Sequence, residues 1–240
     1  MPQTTKDIVS RLQKDILQWE GYKPPAGGIR EQLGLGPLET VFPHGIFPKS
    51  TVHELVCASS EQAAASGGLI TGILSLLIQQ GGVCVWIGRA RPLFAPALAS
   101  FGVAPHQVIF ISLLKDKDTL WVMEEALKCP GLTAVVCELG EMDFKQSQRF
   151  QHAVERSRVT GFVLRNAYRL GSTACAARWQ VRHLPSISPG GLPGLGHCRW
   201  QVDLLKVRNG QTGSWVLQWQ EGRFVPIEKQ IDIEAERQVG

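Results

Sequence analysis

Short apolar runs alternate with helical segments between residues 51 and 164, and this alternation limits the possible folds more than any other feature. The runs are apolar on both faces, as is typical of strands in a parallel sheet that helices cover. They span residues 51–57, 83–87, 107–112, 133–137 and 161–164. We therefore predict an α/β fold with a largely parallel sheet.

Helical segments are predicted between these strands, at residues 62–80, 92–101, 116–128 and 144–158. The first is apolar almost all round, which favours burial against the sheet. Asp116 or Asp118 can cap the third helix at its N-terminus. Helices on both sides of the sheet are the expected result.

The pattern changes after Asn166. Residues 176–184, 199–207 and 214–220 alternate between polar and apolar side chains and are joined by Gly/Pro-rich or Asn-Gly turns. Such segments predict antiparallel strands with one solvated face. We expect them to extend the parallel sheet at its C-terminal side.

The N-terminal segment has helical periodicity, because Ile8, Leu12, Ile16 and Trp19 recur on one face. This amphipathic helix could pack on its own domain or on a neighbouring subunit, and periodicity alone does not distinguish the two. The chain is thus divided into an N-terminal helix (1–22), a linker (23–41), the α/β domain (42–225) and a charged tail (226–240).

Composition favours a cytoplasmic protein. The chain has 240 residues, 44% of them hydrophobic, and a formal net charge of +4. Its six cysteines form no CxxC pair, so we expect free thiols in a reducing compartment and no metal site. No uninterrupted apolar run approaches the about 20 residues that a membrane span needs. We expect no association with membranes.

Basic residues are concentrated between residues 165 and 208. This stretch contains seven of them and a single acidic residue, Asp203. With Trp179 and Trp200 between them, they could bind an acidic partner or single-stranded nucleic acid. Alternatively, they form a solvated sheet face with both tryptophans directed inward. The basic residues are Arg165, Arg169, Arg178, Arg182, Arg199, Lys206 and Arg208.

A nucleotide-binding loop would lie between the first strand and the helix that follows it, but the residues that such a loop needs are missing. A P-loop needs a glycine-rich turn, a lysine for the phosphates and a Ser/Thr hydroxyl for magnesium. The turn here contains no lysine, and Glu61 would repel phosphate. It reads Ser59, Ser60, Glu61, Gln62, Ala63, Ala64.

The order of these elements resembles the RecA ATPase core. Residues 43–55, PHGIFPKSTVHEL, resemble the entry into that core, and residues 94–136 resemble its helices and strands up to the Walker B strand. Within this fold, the chain is similar to the ImuA family, the RecA-like and SulA-like accessory proteins of bacterial mutagenesis cassettes. The similarity runs from about residue 42 to 219 and rests on FPHGIF, LFAPALASFGV, LWVMEEAL, TACAARWQV and GLGHCRWQVDLLKVRNGQ.

The resemblance to RecA implies that most of its functional residues are absent from the matching positions of this sequence. The Walker A lysine falls near residues 63–65, the Walker B aspartate near Glu138, and the catalytic glutamate near Gly88 and Arg89. An arginine cannot activate water. Lys206 and Arg208 match basic positions near the RecA interprotomer site, whereas the DNA-binding loop is shortened to residues 166–172. The resemblance implies no catalytic residue and no cofactor.

The resemblance also implies a role. It predicts a non-catalytic accessory protein in DNA-damage-induced translesion synthesis, with an ImuB-like Y-family protein and an error-prone polymerase subunit as partners, and RecA as a further candidate. The helix around Trp19 and the C-terminal strands are the expected contact surfaces. Direct binding of single-stranded DNA stays open. The alternatives are an ATP-binding RecA-like protein and a SulA-like cell-division inhibitor.

Overall fold

A computed structural model describes residues 32–79, 81–89, 95–166, 171–186 and 196–227. All elements below belong to the compact unit that begins at Leu33. The α-helices are α1 (Ser60–Leu77), α2 (Ala95–Ala99), α3 (Asp116–Leu127) and α4 (Phe144–Ser157). The strands are β1 (Val52–Cys57), β2 (Cys84–Gly88), β3 (Val108–Ser112), β4 (Ala134–Leu139), β5 (Thr160–Asn166), β6 (Ala177–Leu184), β7 (Arg199–Val207), β8 (Gly213–Gln220) and β9 (Arg223–Ile227).

The nine strands form one sheet in the order β3-β2-β4-β5-β1-β6-β7-β8-β9. The strands from β3 to β6 in this order are parallel, and β7, β8 and β9 are antiparallel. The prediction of a largely parallel, helix-flanked sheet with a C-terminal antiparallel extension is therefore confirmed. One detail is wrong: β6 was predicted within the antiparallel group, but it pairs in parallel with β1.

Two apolar layers cover the two faces of the sheet. On one face, α1 packs under both the parallel strands and the antiparallel ones, so a single core joins the two parts. On the other face, α3 and α4 cover the parallel strands, with Met123, Leu127, Phe150 and Val154 fully or almost fully buried. Helices that bury an apolar stripe against a sheet produce this layered arrangement.

Small residues let α1 approach the aromatic side chains of the antiparallel strands. A Cβ atom at Gly72 would lie 2.6 Å from Phe224 Cζ and 3.1 Å from Trp219 Cζ3. A Cβ atom at Gly68 would lie 3.1 Å from Trp200 Cζ2. The rings are themselves held against one another, with the centroids of Trp219 and Phe224 4.8 Å apart. Glycine at these positions is therefore a packing requirement.

Several other boundaries differ from the sequence prediction, three of them for a reason that the structure shows. α1 begins at Ser60 instead of residue 62, because Ser59 caps the helix. β9 forms across the predicted start of the tail at residue 226, because Phe224 anchors the strand in the core. In the segment assigned to the linker, Leu35 and Leu38 are completely buried, so the part from residue 33 onward packs on the domain.

The predicted N-terminal helix, with Trp19, lies outside the described residues, as does the tail beyond Ile227. The proposed division of the chain into four segments stays a prediction. Within the described ranges, no helix combines the length and the apolar character that crossing a membrane requires.

His53 is a buried, neutral side chain in the core. Its ring stacks on Phe47 with a centroid distance of 4.5 Å. Its Nε2 lies 2.9 Å from the Pro48 carbonyl oxygen, and its Nδ1 lies 3.4 Å from Trp179 Nε1. A carbonyl only accepts and an indole N–H only donates, so the neutral tautomer with its proton on Nε2 satisfies both. Burial lowers the pKa of His53 to about 4, and the Pro48 carbonyl opposes this only in part.

We expect Gly72→Val to lower the free energy of unfolding by about 1–3 kcal/mol, because the added atoms overlap the packed rings of Trp219 and Phe224. The matched control is Gly131→Val, since a Cβ atom at Gly131 has no neighbour within 4 Å. The control should change stability by less than about 0.5 kcal/mol. Urea unfolding followed by tryptophan fluorescence measures both, and equal effects would contradict the packing argument.

The lowered pKa of His53 predicts a pH dependence of stability. The folded pKa is about 4 and the unfolded one about 6.5, so the stabilisation is complete above pH 6.5 and is lost as the pH falls towards 4. Between these values, the wild type should lose about 3 kcal/mol more than His53→Phe, which keeps the ring but cannot titrate. Parallel curves from chemical unfolding at several pH values would show that the folded-state pKa of His53 is not lowered.

Candidate functional site

The connection between β1 and α1 occupies the position where a phosphate loop would lie. Only Ala58 and Ser59 separate the last residue of β1 from the first residue of α1. The predicted turn is therefore mostly helix, and Ser60, Glu61, Ala63 and Ala64 all belong to the first turns of α1. Two residues are too few to wrap backbone N–H groups around a phosphate in the manner of a P-loop.

The N-terminus of α1 is capped by its own side chains. Gln62 N donates to Ser59 Oγ at 3.3 Å, and Ala63 N donates to the Ser59 carbonyl at 3.0 Å. The Gln62 side chain in turn accepts from Ala58 N at 3.0 Å. Hydrogen bonds from Ser59, from its own backbone N–H and from Ser60 lower the pKa of Glu61, so this carboxylate already occupies the positive end of the helix.

A cleft of about 360 Å³ lies beside this helix end, at the carboxyl edge of the parallel strands. Its floor carries Glu138, whose Oε1 accepts from Trp86 Nε1 at 2.9 Å. Arg89 lies at the edge of the cleft and binds Asp116, with 2.6 Å between Nη2 and Oδ1. The structure thus brings Ala63, Ala64, Arg89 and Glu138 together around one cavity. These are positions at which the resemblance placed the nucleotide motifs, and their assignment to a degenerate nucleotide site stays a prediction.

A buried ionic cluster adjoins the cleft, because Arg165 belongs to both. The Glu54 carboxylate is completely buried on β1, and it binds Arg165 on β5 and Arg178 on β6, the latter at 2.8 Å. Thr173 Oγ1 also donates to Glu54 at 2.8 Å. Burial alone would raise the pKa of Glu54, but these hydrogen bonds outweigh it, and the pKa is lowered. Arg165 Nε is buried without a hydrogen-bond partner in the described part of the chain.

Two further cations fix the segment that leads into β6. Lys206 Nζ donates to the Thr173 carbonyl at 2.8 Å, and Arg208 Nη2 donates to the Ala174 carbonyl at 2.9 Å. Ser147 Oγ on α4 accepts from Ala174 N at 2.9 Å. Both basic side chains are solvent-exposed, so a partner can still reach them while they hold this segment.

The other residues predicted to contact a partner or DNA do not share this exposed position. Arg165 is 3% exposed and committed to Glu54, so it belongs to the core instead of a contact surface. Arg169 and Trp19 lie outside the described residues. Trp179 and Trp200 face the core at 3% and 4% exposure, which confirms the inward orientation and removes them as stacking platforms.

The described residues offer no alternative metal or disulfide chemistry. All six cysteines are free thiols, and four of them are buried. Burial raises the pKa of Cys84 and that of Cys175 to about 12, so these two are protonated at neutral pH. The described ranges contain no group of three or more side chains that could hold a metal ion.

The sheet order and the flanking helices define an α/β protein with a largely parallel sheet and a C-terminal antiparallel extension. The chain is 34% identical over 207 residues to Protein ImuA of Caulobacter vibrioides, in strain NA1000 / CB15N and equally in strain ATCC 19089 / CIP 103742 / CB 15. The aligned region covers 81% of this chain and 85% of the relative. The chain therefore belongs to the ImuA family. No family model matches it.

Sequence reasoning missed the partners of Glu54 and of Glu138. A signal for the first was present, because Glu54 is the only acid in the apolar strand VHELVC, and a buried charge needs a counter-ion. Trp86 could not be paired with Glu138 in advance, since they lie on different strands and the sequence does not give the register. Asp116 was recognised only as a possible helix cap.

We expect Glu54→Gln to lower the free energy of unfolding by about 3–5 kcal/mol, because it leaves two buried guanidinium groups without a counter-ion. The control is Glu125→Gln, which removes an exposed pair with Lys128 and should leave the free energy of unfolding almost unchanged. Chemical denaturation measures both variants. A small effect at Glu54 would mean that Arg165 and Arg178 find other acceptors or water.

Proposed function

We propose that this chain is a non-catalytic accessory protein in DNA-damage-induced translesion synthesis and mutagenesis. It acts in the cytoplasm through protein contacts with an ImuB-type Y-family protein and an error-prone polymerase subunit. Membership of the ImuA family supports a role in a mutagenesis cassette. RecA is a further candidate partner.

The closed junction between β1 and α1 is the observation that carries the non-catalytic part of this proposal. The N–H groups of Gln62 and Ala63 in the first turn of α1 bind Ser59, and the Glu61 carboxylate lies at the helix end where a phosphate would need positive potential. Phosphoryl transfer depends on cations around the γ-phosphate. Arg89 and Arg165, the two cations of the cleft, are bound to Asp116 and Glu54.

Exposed apolar side chains support the protein-contact part of the proposal. Large apolar side chains in water are typical of interaction surfaces when they cluster, and aromatic ones often anchor interfaces. Trp121 on α3 is 64% exposed, and Leu114 before it is 80% exposed. The outer face of β7 and β8 adds Leu205 and a row of polar side chains that includes Gln201 and Ser214.

Calorimetry tests the non-catalytic part. The purified full-length chain should give no micromolar binding signal with ATP and magnesium, and no phosphate release with or without single-stranded DNA. Glu61→Gln serves as the matched variant, because removal of this carboxylate alone should not create a nucleotide site in a two-residue connection. A micromolar signal from the wild type would instead favour the ATP-binding alternative.

A mutagenesis assay tests the role. In a strain that lacks the gene, damage-induced mutation frequency should fall and should be restored by the wild type and by Ser59→Ala. Ser59→Ala removes the helix cap, which lowers stability by about 1 kcal/mol. It removes no group that the proposed role requires. The protein should also co-purify with the ImuB-type protein of its own cassette. Unchanged mutation frequency in the deletion strain would contradict the role.

A further inference from the structure

The cleft beside α1 has one charged group that the described residues leave without a counter-ion. Of its charged lining residues, Arg89 binds Asp116 and Arg165 binds Glu54. Glu138 forms no ion pair within the described ranges, and one of its oxygens accepts from the Trp86 indole. Glu138 therefore gives the cleft floor a negative charge that nothing described in the protein neutralises.

The surrounding chain makes room for this carboxylate. A Cβ atom at Gly88 would lie 3.1 Å from both Cδ and Oε2 of Glu138, so any larger residue there would press on the carboxylate. The indole of Trp86 donates to Oε1, and both carboxylate oxygens lie beside Gly88. The orientation of the group is thus determined by packing on one side and by a hydrogen bond on the other.

Two sides of the cleft are lined by apolar residues, whereas Arg89, Arg165 and Asn166 supply polar groups elsewhere in the lining. Ala63 and Gly67 from α1 form one side, and Leu139 and Leu164 from the strand ends contribute to the other. At about 360 Å³, the cavity is large enough for one long side chain. A cleft with such apolar sides and a carboxylate in its lining matches a side chain with an aliphatic stem and a terminal cation.

We propose that the cleft binds a lysine or arginine side chain of the protein partner, with Glu138 as its counter-ion. An anionic ligand is disfavoured, because Glu138 would repel it and both arginines of the cleft already bind carboxylates. A metal ion is disfavoured too, because the described residues bring no three metal-binding side chains together here. This inference rests on the proposed function and assigns to its partner a basic side chain at this site.

A binding experiment with the ImuB-type protein of the same cassette tests the inference. We expect Glu138→Gln, which keeps the shape and the acceptor for Trp86, to raise the Kd at least about 10-fold and to reduce its dependence on salt. Glu155→Gln is the matched control, because Glu155 is an exposed acid on α4 outside the cleft, and its Kd should not change. Titration calorimetry at two salt concentrations measures all three proteins.

The outcomes separate the two proposals. If the wild type forms no complex, the proposed function fails and the inference falls with it. If the wild type binds and Glu138→Gln binds equally well, only the inference is overturned. Circular dichroism spectra and unfolding midpoints verify that the variants are folded, so weak binding cannot be confused with misfolding.

A small probe tests the site without the partner. Nα-acetyl-arginine amide at millimolar concentration should shift the indole N–H resonance of Trp86 in a ¹⁵N-labelled wild-type sample, since the indole donates to Glu138. The same probe should leave that resonance unchanged in Glu138→Gln. A shift with magnesium–ATP and none with the arginine derivative would overturn the inference.

Discussion

The buried carboxylate of Glu54 holds together the part of the sheet on which the rest of the fold depends. β1 lies between β5 and β6, and Glu54 binds a cation from each of these two neighbours. A charge in this position is strongly destabilising unless it is paired. Thr173, which lies between β5 and β6 in the chain, also donates a hydrogen bond to Glu54. One side chain thus links the helix-covered half of the sheet to the half that is open on one face.

The sequence predicted the elements well and their neighbours less well. Apolar runs and caps locate β1 to β5 and the helices within a few residues, because burial on both faces leaves a direct trace in composition. β6 has the alternating pattern of an antiparallel strand although it pairs in parallel with β1, since only one of its faces is covered. The alternation of polar and apolar residues indicates which face of a strand is buried, but not whether the strand pairs in parallel or antiparallel. β9 was missed because Pro226 and the charges near it resemble a tail.

The candidate site was predictable in position and only partly in chemistry. The sequence shows that the turn has no lysine and that it has an acid at residue 61. The shortness of the β1–α1 connection is not visible, because Ser59 and Glu61 suit a loop as well as a helix N-terminus. The pairing of Arg89 with Asp116 and of Arg165 with Glu54 depends on the packing of α3 and on strand register. Those contacts decide which charge in the cleft stays without a counter-ion.

The strand order also affects how the chain can fold during synthesis. β1 emerges early, but Val52 pairs with Gly161 and His53 with Ala177, so both neighbours of the central strand are made much later. Until then, an apolar strand and the apolar helix α1 have no sheet to cover them. Such non-local pairing slows folding and exposes strand edges to aggregation. A ribosome-bound chain that ends before β5 therefore contains neither neighbour of β1, and this apolar strand has no partner at that stage of synthesis.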